Sequence, residues 1–326
     1  GRSLGLSAEE SISGEAIEQA GDQRLVELLQ RSDVIARASP EVKMRVISSL
    51  QDRGLSVAMT GDGVNDAPAL QRADIGVAMG QRGTEAARDS SDIILTDDNF
   101  ATISAAVRQG RIVYDNIVKS LQFILPTNGG EAGLILLALA LGITLPVTVG
   151  QILWVNLVTT VTLALAFAFE PGDPELMTRP PRPKSQGILD RSMVYRILFV
   201  SLLLVGTALL AFEIGLRWYG SVDVARTMAV TMIVLAEVVY VFNVRRLHAS
   251  SLNRQVFTEN RVALAAIGAL AVLQLGFIYA PFMQLAFSTA PLRPAAWGLL
   301  LGLAVAIFLI VEMFKALTRK RERVSS

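Results

Sequence analysis

The sequence of 326 residues contains no cysteine and a single histidine, His248. Disulfide bonds and thiolate metal sites are therefore excluded, and a cluster of imidazole ligands cannot form. The formal net charge is only +1, which leaves no electrostatic footprint for nucleic-acid binding. The chain opens on Gly1, and its first thirty residues lack the apolar core of a signal peptide. We therefore expect it to be a truncated part of a larger protein.

Hydrophobic residues are abundant, and they are concentrated in the second half of the chain. They make up 52% of the sequence, and the mean hydropathy is +0.47, above that of an ordinary soluble domain. Each of six apolar segments is close to the ~20 residues that cross ~30 Å of hydrocarbon. We predict six transmembrane helices, at residues 117–141, 151–169, 193–216, 226–244, 262–285 and 295–317.

Basic residues are unevenly distributed among the loops that join these six spans. Lys and Arg cluster after spans two, four and six, at Arg179, Arg182, Lys184, Arg191, Arg245, Arg246, Arg254, Arg261, Lys315, Arg319, Lys320, Arg321 and Arg323. The loops on the opposite side carry few. Because cytoplasmic loops are enriched in Lys and Arg, both termini are predicted to be cytoplasmic. Residues 318–326 are predicted to form a basic cytoplasmic tail.

Residues 1–116 alternate short β-like runs with helical patterns. The β-like runs lie at 34–36, 56–59, 75–80 and 93–95, and the helical patterns at 41–52, about 66–73 and about 83–89. Such alternation predicts a mostly parallel sheet with its ligand beyond the carboxyl ends of the strands. The expected fold class is a partial Rossmann-like α/β domain at 1–116, followed by an all-α bundle of six transmembrane helices at 117–317.

The run Thr60-Gly61-Asp62-Gly63-Val64-Asn65-Asp66-Ala67-Pro68 places two carboxylates on a glycine-rich turn after a predicted strand. Gly61 and Gly63 let backbone amides and the Asp62 carboxylate approach a phosphate without obstruction by a Cβ atom. Asp66 can reach the same point if a helix begins after Gly63. Carboxylate oxygens beside phosphate oxygens suit Mg²⁺. The turn therefore predicts a magnesium and phosphate site, with an ordinary surface turn as the alternative.

Lys43 is a candidate partner of that phosphate. It lies on the predicted helix that precedes the glycine-rich turn, behind Ser39 and Pro40, a pair typical of a helix N-terminus. As a point charge near the turn, the Lys43 ammonium could stabilise phosphoryl oxygens.

Two carboxylates lie inside predicted spans, Glu131 in the first and Glu237 in the fourth. A carboxylate at bilayer depth costs ~2.5–3.5 kcal/mol on insertion scales and is a functional candidate by default. Asn128 precedes Glu131 by three residues, and Asn156 precedes Thr159 by three, so each pair is predicted to share a helix face. Oxygens from several helices could replace the hydration shell of a hard cation. A hydrogen-bond network that only stabilises the bundle is the alternative.

Other intramembrane residues carry weaker predictions. Pro126 lacks an amide and is predicted to free the carbonyl of Gln122 near the face of Glu131, while Gly129 and Gly130 permit a neighbouring helix to approach closely. Three further polar residues are expected in structural or interfacial positions: Glu213 and Glu312 near span ends, where side chains reach solvent, and Gln274 at a helix contact.

Residues 39–100 resemble the end of the phosphorylation domain of P-type ATPases, which belong to the haloacid dehalogenase-like superfamily. The matching segments are 39–43, 60–70, 73–80 and 97–100. The resemblance implies that Asp62 binds Mg²⁺, and that Asn65 and Asp66 organise the phosphorylated site. It also implies that Lys43 contacts the phosphate.

The membrane half resembles type II pumps of the sarcoplasmic-reticulum calcium and sodium/potassium kind, through Asn128-Gly-Gly-Glu131, residues 153–159 and Arg179-Pro-Pro-Arg182. The resemblance implies a cation site formed by five residues: Asn128, Glu131, Asn156, Thr159 and Glu237. Calcium pumps of this kind have an aspartate directly after the match to Thr159, whereas this chain has Thr160. Two carboxylates remain, so one Ca²⁺ or a monovalent ion fits the site better than two Ca²⁺.

The resemblance covers nearly the whole chain, but several parts of the family's architecture have no counterpart in it. The sequence lacks the Asp-Lys-Thr-Gly segment that carries the phosphorylated aspartate, the nucleotide-binding domain, the actuator segment and the first four membrane helices. The six spans would then correspond to the fifth to tenth helices of the family. The chain alone is expected neither to hydrolyse ATP nor to pump.

The expected function is therefore the C-terminal portion of an ATP-driven cation pump in a bacterial plasma membrane. Its partners would be the transported cation, the bilayer and the missing N-terminal domains, which bind ATP, with no nucleic acid. One alternative is a non-catalytic membrane fragment or split-pump subunit. Another, a dehalogenase-like phosphatase with a membrane anchor, needs an Asp followed two residues later by a second Asp. Neither Asp89 to Asp92 nor Asp97-Asp98 has that spacing.

Overall fold

The structure, a computed structural model, describes residues 11–183, 187–246, 251–253 and 258–325. The chain divides into two compact units. We call Gly1–Arg108 with Pro180–Gln186 the α/β unit, and Gln109–Arg179 with Gly187–Ser326 the helical unit.

The α/β unit contains two small parallel sheets. Strands β1 (Ile12–Ser13) and β2 (Ile35–Ala36) form the first. Strands β3 (Ala58–Gly61), β4 (Ile75–Met79) and β5 (Ile93–Leu95) form the second, in the order β3-β4-β5. The predicted parallel pairing is thus confirmed, although the strand at 35–36 belongs to a separate sheet from the other three predicted strands.

Short helices connect these strands, and side-chain hydroxyls cap the starts of three of them. The helices are α1 (Gly14–Gln19), α2 (Asp22–Arg31), α3 (Pro40–Asp52), α4 (Ala67–Arg72) and α5 (Glu85–Asp89). The hydroxyl of Ser39 accepts the amide of Val42 at 3.3 Å, and Pro40 takes the first helical position, where its missing amide costs no bond. The hydroxyl of Thr84 starts α5 in the same way.

Six helices in the described residues are long and apolar enough to cross a membrane, as predicted. They are α6 (Phe100–Leu141), α7 (Val149–Thr159, continued by turns to Phe169), α8 (Arg191–Tyr219), α9 (Val222–Arg245), α10 (Arg261–Tyr279) and α12 (Pro294–Ser325). Helix α6 begins before the predicted span start at residue 117. Helix α12 continues through most of the predicted tail 318–326, whose side chains from residue 319 onward lie outside the described part of the structure.

The predicted fifth span, 262–285, is interrupted in the structure. Helix α10 ends at Tyr279, and a short helix α11 (Pro281–Phe287) follows it. Pro281 has no amide to continue the hydrogen bonds of α10 and instead takes the first position of α11. The apolar pattern alone did not show this break.

The core of the helical unit is built around α9, which packs against α8 and α12. Fully buried side chains of α9 include Met228, Met232 and Tyr240. Helix α6 approaches α8 closely at Gly130, because a Cβ there would lie 2.9 Å from the Cβ of Leu204. The expected close approach at this glycine is therefore present.

Candidate functional site

In the α/β unit, Asp62 directly follows β3 at the carboxyl end of the strand. Its carbonyl accepts the amide of Thr84 at 2.8 Å, which fixes the backbone of the turn against the start of α5. The Asp62 and Asn65 side chains are exposed. The turn therefore presents a carboxylate and an amide group to solvent at the edge where a parallel sheet binds its ligand.

Asp66 has a different environment from Asp62, because it is buried and saturated with donors. A single turn of 3₁₀ helix, Val64–Asp66, brings it back under the loop. Lys43 Nζ donates to its Oδ1 at 2.5 Å, while the amides of Asp62 and Gly63 donate to its Oδ2 at 3.3 and 3.4 Å. A Cβ at Gly61 would lie 2.5 Å from the Cβ of Asp66, so only glycine fits there.

These contacts determine the charge of Asp66. Burial by itself raises the pKa of the Asp66 carboxyl group. The hydrogen bond from Lys43 and those from the two loop amides outweigh that effect, so the pKa lies below its ordinary value of 3.8. Asp66 is therefore a carboxylate at neutral pH, and its charge is matched by the Lys43 ammonium.

This geometry revises the expectation that both carboxylates of the turn face one metal ion. Asp66 is occupied by Lys43 and the loop amides, so Asp62 alone offers an exposed carboxylate. One carboxylate still fits Mg²⁺, which usually takes one or two carboxylates together with waters and phosphate oxygens. Within the described ranges, no group of three or more His, Cys, Asp or Glu side chains is placed to hold a metal by itself.

The sequence assigned no role to Asp98, yet it holds the loop after β4. Its backbone has a positive φ of 50°, and its two carboxylate oxygens accept the amides of Gln81 and Arg82, each at 2.9 Å. The Gln81 amide is the main reason that the pKa of Asp98 lies below its ordinary value. The only sequence feature that points to this role is the Asp-Asp-Asn run at 97–99, which is typical of a turn.

In the helical unit, Glu131 on α6 is buried, with 5% of the residue exposed. The Nδ2 atom of Asn156 on α7 donates to its Oε2 at 2.5 Å and also lies 3.3 Å from the carbonyl of Ile152. The amide side chain of Asn156 thus joins α7 to the carboxylate of α6.

Glu237 on α9 is 1% exposed. The hydroxyl of Thr159 on α7 and the carboxylate of Glu131 both lie close enough to Glu237 to act on its charge. Thr159 itself donates to the carbonyl of Val155 at 2.9 Å. The Oε2 atom of Glu237 is buried and has no hydrogen-bond partner among the described residues. Four predicted ligands, Glu131, Asn156, Thr159 and Glu237, are therefore brought together from three helices.

Asn128 is not brought into this cluster. Its side chain is exposed, whereas Glu131 is buried, although the two project from one side of α6. Three residues along a helix correspond to a rotation of about 300°, which leaves the two side chains about 60° apart. Thr160 is also exposed, at the start of a π-helical turn, Thr160–Ala164.

The sequence predicted that Pro126 leaves the carbonyl of Gln122 free near the face of Glu131. In the structure this carbonyl has a partner. It accepts the hydroxyl of Tyr240 at 2.8 Å. The side chain of Gln122 accepts Nη1 of Arg196, a buried arginine of α8. Neither contact was predicted, because nothing in the sequence places Tyr240 or Arg196 opposite Gln122.

The expectation for Glu312 was wrong. Rather than reaching solvent, Glu312 lies buried on α12 and accepts Nζ of Lys315 at 2.6 Å and Nδ2 of Asn243 at 2.8 Å. Lys315 is 1% exposed and donates in addition to the carbonyl of Asn243 and the hydroxyl of Ser251, each at 2.9 Å. Lys315 therefore belongs to a packed ion-pair network. The weaker predictions for Glu213 and Gln274 agree with the structure, since Glu213 is partly exposed and Gln274 donates to Thr231 on α9.

Sequence reasoning also missed a second buried ion pair. Arg245, the last residue of α9, donates through Nε to both oxygens of Glu170 at 3.0 Å. Asn260 donates to the same carboxylate at 2.7 Å, and Asn116 of α6 donates to the Glu170 carbonyl at 3.0 Å. This cluster gathers the ends of α7 and α9 and the start of α10.

Comparisons with known proteins relate the chain to ion-transporting ATPases. A family model described as "Cation transporting ATPase, C-terminus" matches residues 144–317. A "Probable cation-transporting ATPase F" of Mycobacterium tuberculosis is 43% identical over 310 residues, covering 95% of this chain and 34% of the relative. A "Calcium-transporting ATPase" of Bacillus subtilis is 37% identical over 312 residues, covering 95% and 35%.

A human "Calcium-transporting ATPase type 2C member 1" is 37% identical over 327 residues, covering 98% of this chain and 35% of the relative. The chain thus spans about a third of the length of the curated relatives that it matches.

Proposed function

We propose that this chain, which belongs to the cation-transporting ATPase family and corresponds to its C-terminal part, forms the cation-binding bundle of an ATP-driven pump. The observation that carries the proposal is the cluster of Glu131, Asn156, Thr159 and Glu237 inside a bundle of membrane-length helices. The cluster supplies carboxylate, amide and hydroxyl oxygens from α6, α7 and α9. These are the ligands that hard cations prefer.

The charge balance of the cluster supports the same conclusion. Neither Glu131 nor Glu237 forms an ion pair with any Lys or Arg among the described residues. A buried carboxylate without a positive partner is costly, and a bound cation would supply the missing charge. The amide of Asn156 can offer its oxygen to the ion once the side chain turns, because an amide carries both a donor and an acceptor group.

We further propose a single Ca²⁺ or a monovalent ion as the transported substrate. Two carboxylates balance one divalent ion, and Thr160 brings no third carboxylate to the cluster. Two of the relatives are named calcium-transporting, which makes Ca²⁺ the first ion to test.

The α/β unit would contribute a haloacid dehalogenase-like phosphorylation site in the intact pump. Asp62 would hold Mg²⁺, which neutralises phosphoryl charge when it is bound. Lys43 would contact the phosphoryl group, while Asp66 orients the Lys43 ammonium and ties down the amides of the turn. Asn65 is exposed beside them and would help to organise the site. The residues that bind ATP and the aspartate that becomes phosphorylated would lie in segments outside this sequence.

We also propose the location and orientation of the bundle. The basic loops after spans two, four and six would face the cytoplasm, as the excess of Lys and Arg predicts. Both termini would then be cytoplasmic, and the intact pump would lie in the plasma membrane of a bacterium.

Reconstitution of the full-length protein in vesicles would test the proposal. ATP-dependent uptake should be stimulated by one of Ca²⁺, Na⁺, K⁺ or Mg²⁺, and that ion should stimulate formation of a phosphorylated enzyme. Glu131→Gln should lose the ion stimulation, and Asp62→Asn should abolish phosphorylation even with the ion present. Glu213→Gln, the same chemical change near the end of α8, is the matched control. Wild-type ion stimulation in Glu131→Gln would rule out the proposed cation site.

A further inference from the structure

Helix α6 contains a proline whose missing hydrogen bond is replaced from another helix. Pro126 has no amide, so the carbonyl of Gln122, four residues earlier, loses its partner within the helix. An unpaired carbonyl in a dry interior is unfavourable. In the structure the hydroxyl of Tyr240 on α9 donates to this carbonyl at 2.8 Å, and both residues are buried. The tyrosine takes the place of the amide that Pro126 lacks.

This hydrogen bond connects α6 and α9, the two helices that carry the buried carboxylates Glu131 and Glu237. Tyr240 follows Glu237 by three residues on α9, a rise of about 4.5 Å, and Gln122 precedes Glu131 by nine residues on α6, a rise of about 13.5 Å. The ring of Tyr240 also stacks against Phe123, with ring centroids 6.2 Å apart. The hydroxyl is therefore held in place by packing as well as by its hydrogen bond.

A third helix joins the same point. Arg196 of α8 donates through Nη1 to the side-chain oxygen of Gln122 at 2.8 Å. Gln122 thus accepts one bond through its carbonyl, from α9, and one through its side chain, from α8. Arg196 and Tyr240 are both buried, so these bonds form away from water, where a polar group gains most from having its partner.

We propose that Tyr240 is a positioning residue of the cation site. By capping the carbonyl that Pro126 leaves unpaired, it ties α6 to α9 and sets the separation between Glu131 and Glu237. The inference rests on the proposed function, since it assumes that these two carboxylates bind the transported cation. It assigns to Tyr240 an effect on cation affinity through helix placement, with no direct contact to the ion.

The test is a double-mutant cycle in the full-length protein. Tyr240→Phe removes only the hydroxyl, and it should raise the half-saturating cation concentration about tenfold, the lower end of the range for groups that orient ligands. The maximal turnover rate should stay within about twofold of wild type, because the phosphorylation chemistry is untouched. A change that only destabilised the fold would lower the maximal rate or the yield of protein. It would not raise the half-saturating cation concentration while leaving the maximal rate unchanged.

Pro126→Ala supplies the rescue. An alanine restores the amide at position 126, which can bond to the carbonyl of Gln122 within α6. In this background, Tyr240→Phe should shift the half-saturating concentration by less than about twofold relative to Pro126→Ala alone, because the two changes share one acceptor. If Tyr240→Phe alone fails to fold, the double variant should recover expression, since its carbonyl is again paired.

Tyr279→Phe is the matched control. The hydroxyl of Tyr279 on α10 also donates to a main-chain carbonyl, that of Leu292 at 2.9 Å, but it does not join α6 to α9. This variant should leave the cation dependence unchanged, and Pro126→Ala should not modify its effect.

The possible failures are distinguishable. An unshifted cation dependence in Tyr240→Phe, or an equal shift with and without Pro126→Ala, would overturn the positioning role while leaving the proposed pump intact. A wild-type protein that responds to none of the four cations would overturn the proposed function and this inference with it. In both cases, unfolding midpoints measured without cation report separately whether the hydrogen bond exists. The four proteins to compare are the wild type, Tyr240→Phe, Pro126→Ala and the double variant.

Discussion

Buried carboxylates in the helical unit occur in two kinds of environment. Glu131 and Glu237 lie near the middle of their apolar spans. Glu131 accepts the Asn156 amide, Glu237 lies close to the Thr159 hydroxyl, and neither has a basic partner in the described ranges. Glu170, at the end of the bundle where α9 finishes, is bound by both the Arg245 guanidinium and the Asn260 amide. The same functional group is therefore left with its charge unmatched in one region and fully paired in the other.

The pair of Glu312 and Lys315 follows the second pattern at the same end of the bundle. Because charge that is buried in a bundle must be balanced to be tolerated, the paired carboxylates need nothing from outside the chain. Glu131 and Glu237 have no such pairing among the described residues, and they are the two carboxylates that we propose bind the transported cation.

The largest expected effect comes from breaking a paired carboxylate. Glu312→Gln would remove the carboxylate that Lys315 Nζ contacts at 2.6 Å while the ammonium stays buried, and loss of one member of such a pair costs ~3–5 kcal/mol. The thermal unfolding midpoint of the purified full-length protein in detergent should fall accordingly. Glu312→Gln combined with Lys315→Met should regain most of the loss, because no unpaired charge then remains. A double variant less stable than Glu312→Gln would show that charge balance is not the cause.

The same substitution in the middle of the bundle should have the opposite effect on stability. Glu237→Gln removes a buried carboxylate that has no positive partner, so the unfolding midpoint without cation should be unchanged or higher. The apparent cation affinity should fall at least ~100-fold, or ~2.7 kcal/mol, as measured by ion-stimulated phosphorylation. A midpoint lowered as far as in Glu312→Gln would erase the distinction between the two regions.

Sequence reasoning located the unpaired carboxylates but missed the paired ones. Glu131 and Glu237 stand out because a charge in the middle of an apolar span has no local explanation. Glu312 lies near a span end, where exposure is the ordinary outcome, and its burial depends on Asn243 and Ser251, which are distant in sequence. Pairing across helices leaves no periodic signal, so Glu170 was not singled out at all.

The α/β unit was more predictable, because its information is local. Strand and helix order, the cap at Ser39 and the turn after Gly63 all follow from neighbouring residues. The role of Asp66 was predicted only in part. Its spacing from Asp62 suggested a shared metal ligand, whereas the salt bridge to Lys43, 23 positions away in sequence, depends on how α3 packs.

Asp66 adds a third environment to the comparison, a paired carboxylate buried under a loop of the α/β unit. Asp66→Asn should destabilise the α/β unit by ~1–3 kcal/mol at neutral pH, since hydrogen bonds to a charged group are lost. The folded pKa lies below the ordinary value of 3.8. The stabilisation is therefore fully present above that value and is lost as the pH falls through the lowered pKa. Unfolding midpoints of wild type and variant should converge in acid, and a constant gap would contradict the assignment.

The smallest effect is expected for Glu213→Gln, which makes the same chemical change at an exposed pair. The Glu213 side chain is 46% exposed, and its Oε2 lies 3.9 Å from Nε of Arg217 one turn later on α8. Pairs of this kind contribute ~0.5 kcal/mol or less, so the unfolding midpoint should move little. Because only the environment differs between Glu213→Gln and Glu312→Gln, a large loss here would mean that replacing any glutamate of the bundle is disruptive. A negligible loss assigns the cost at Glu312 to the buried Lys315 ammonium that loses its carboxylate partner.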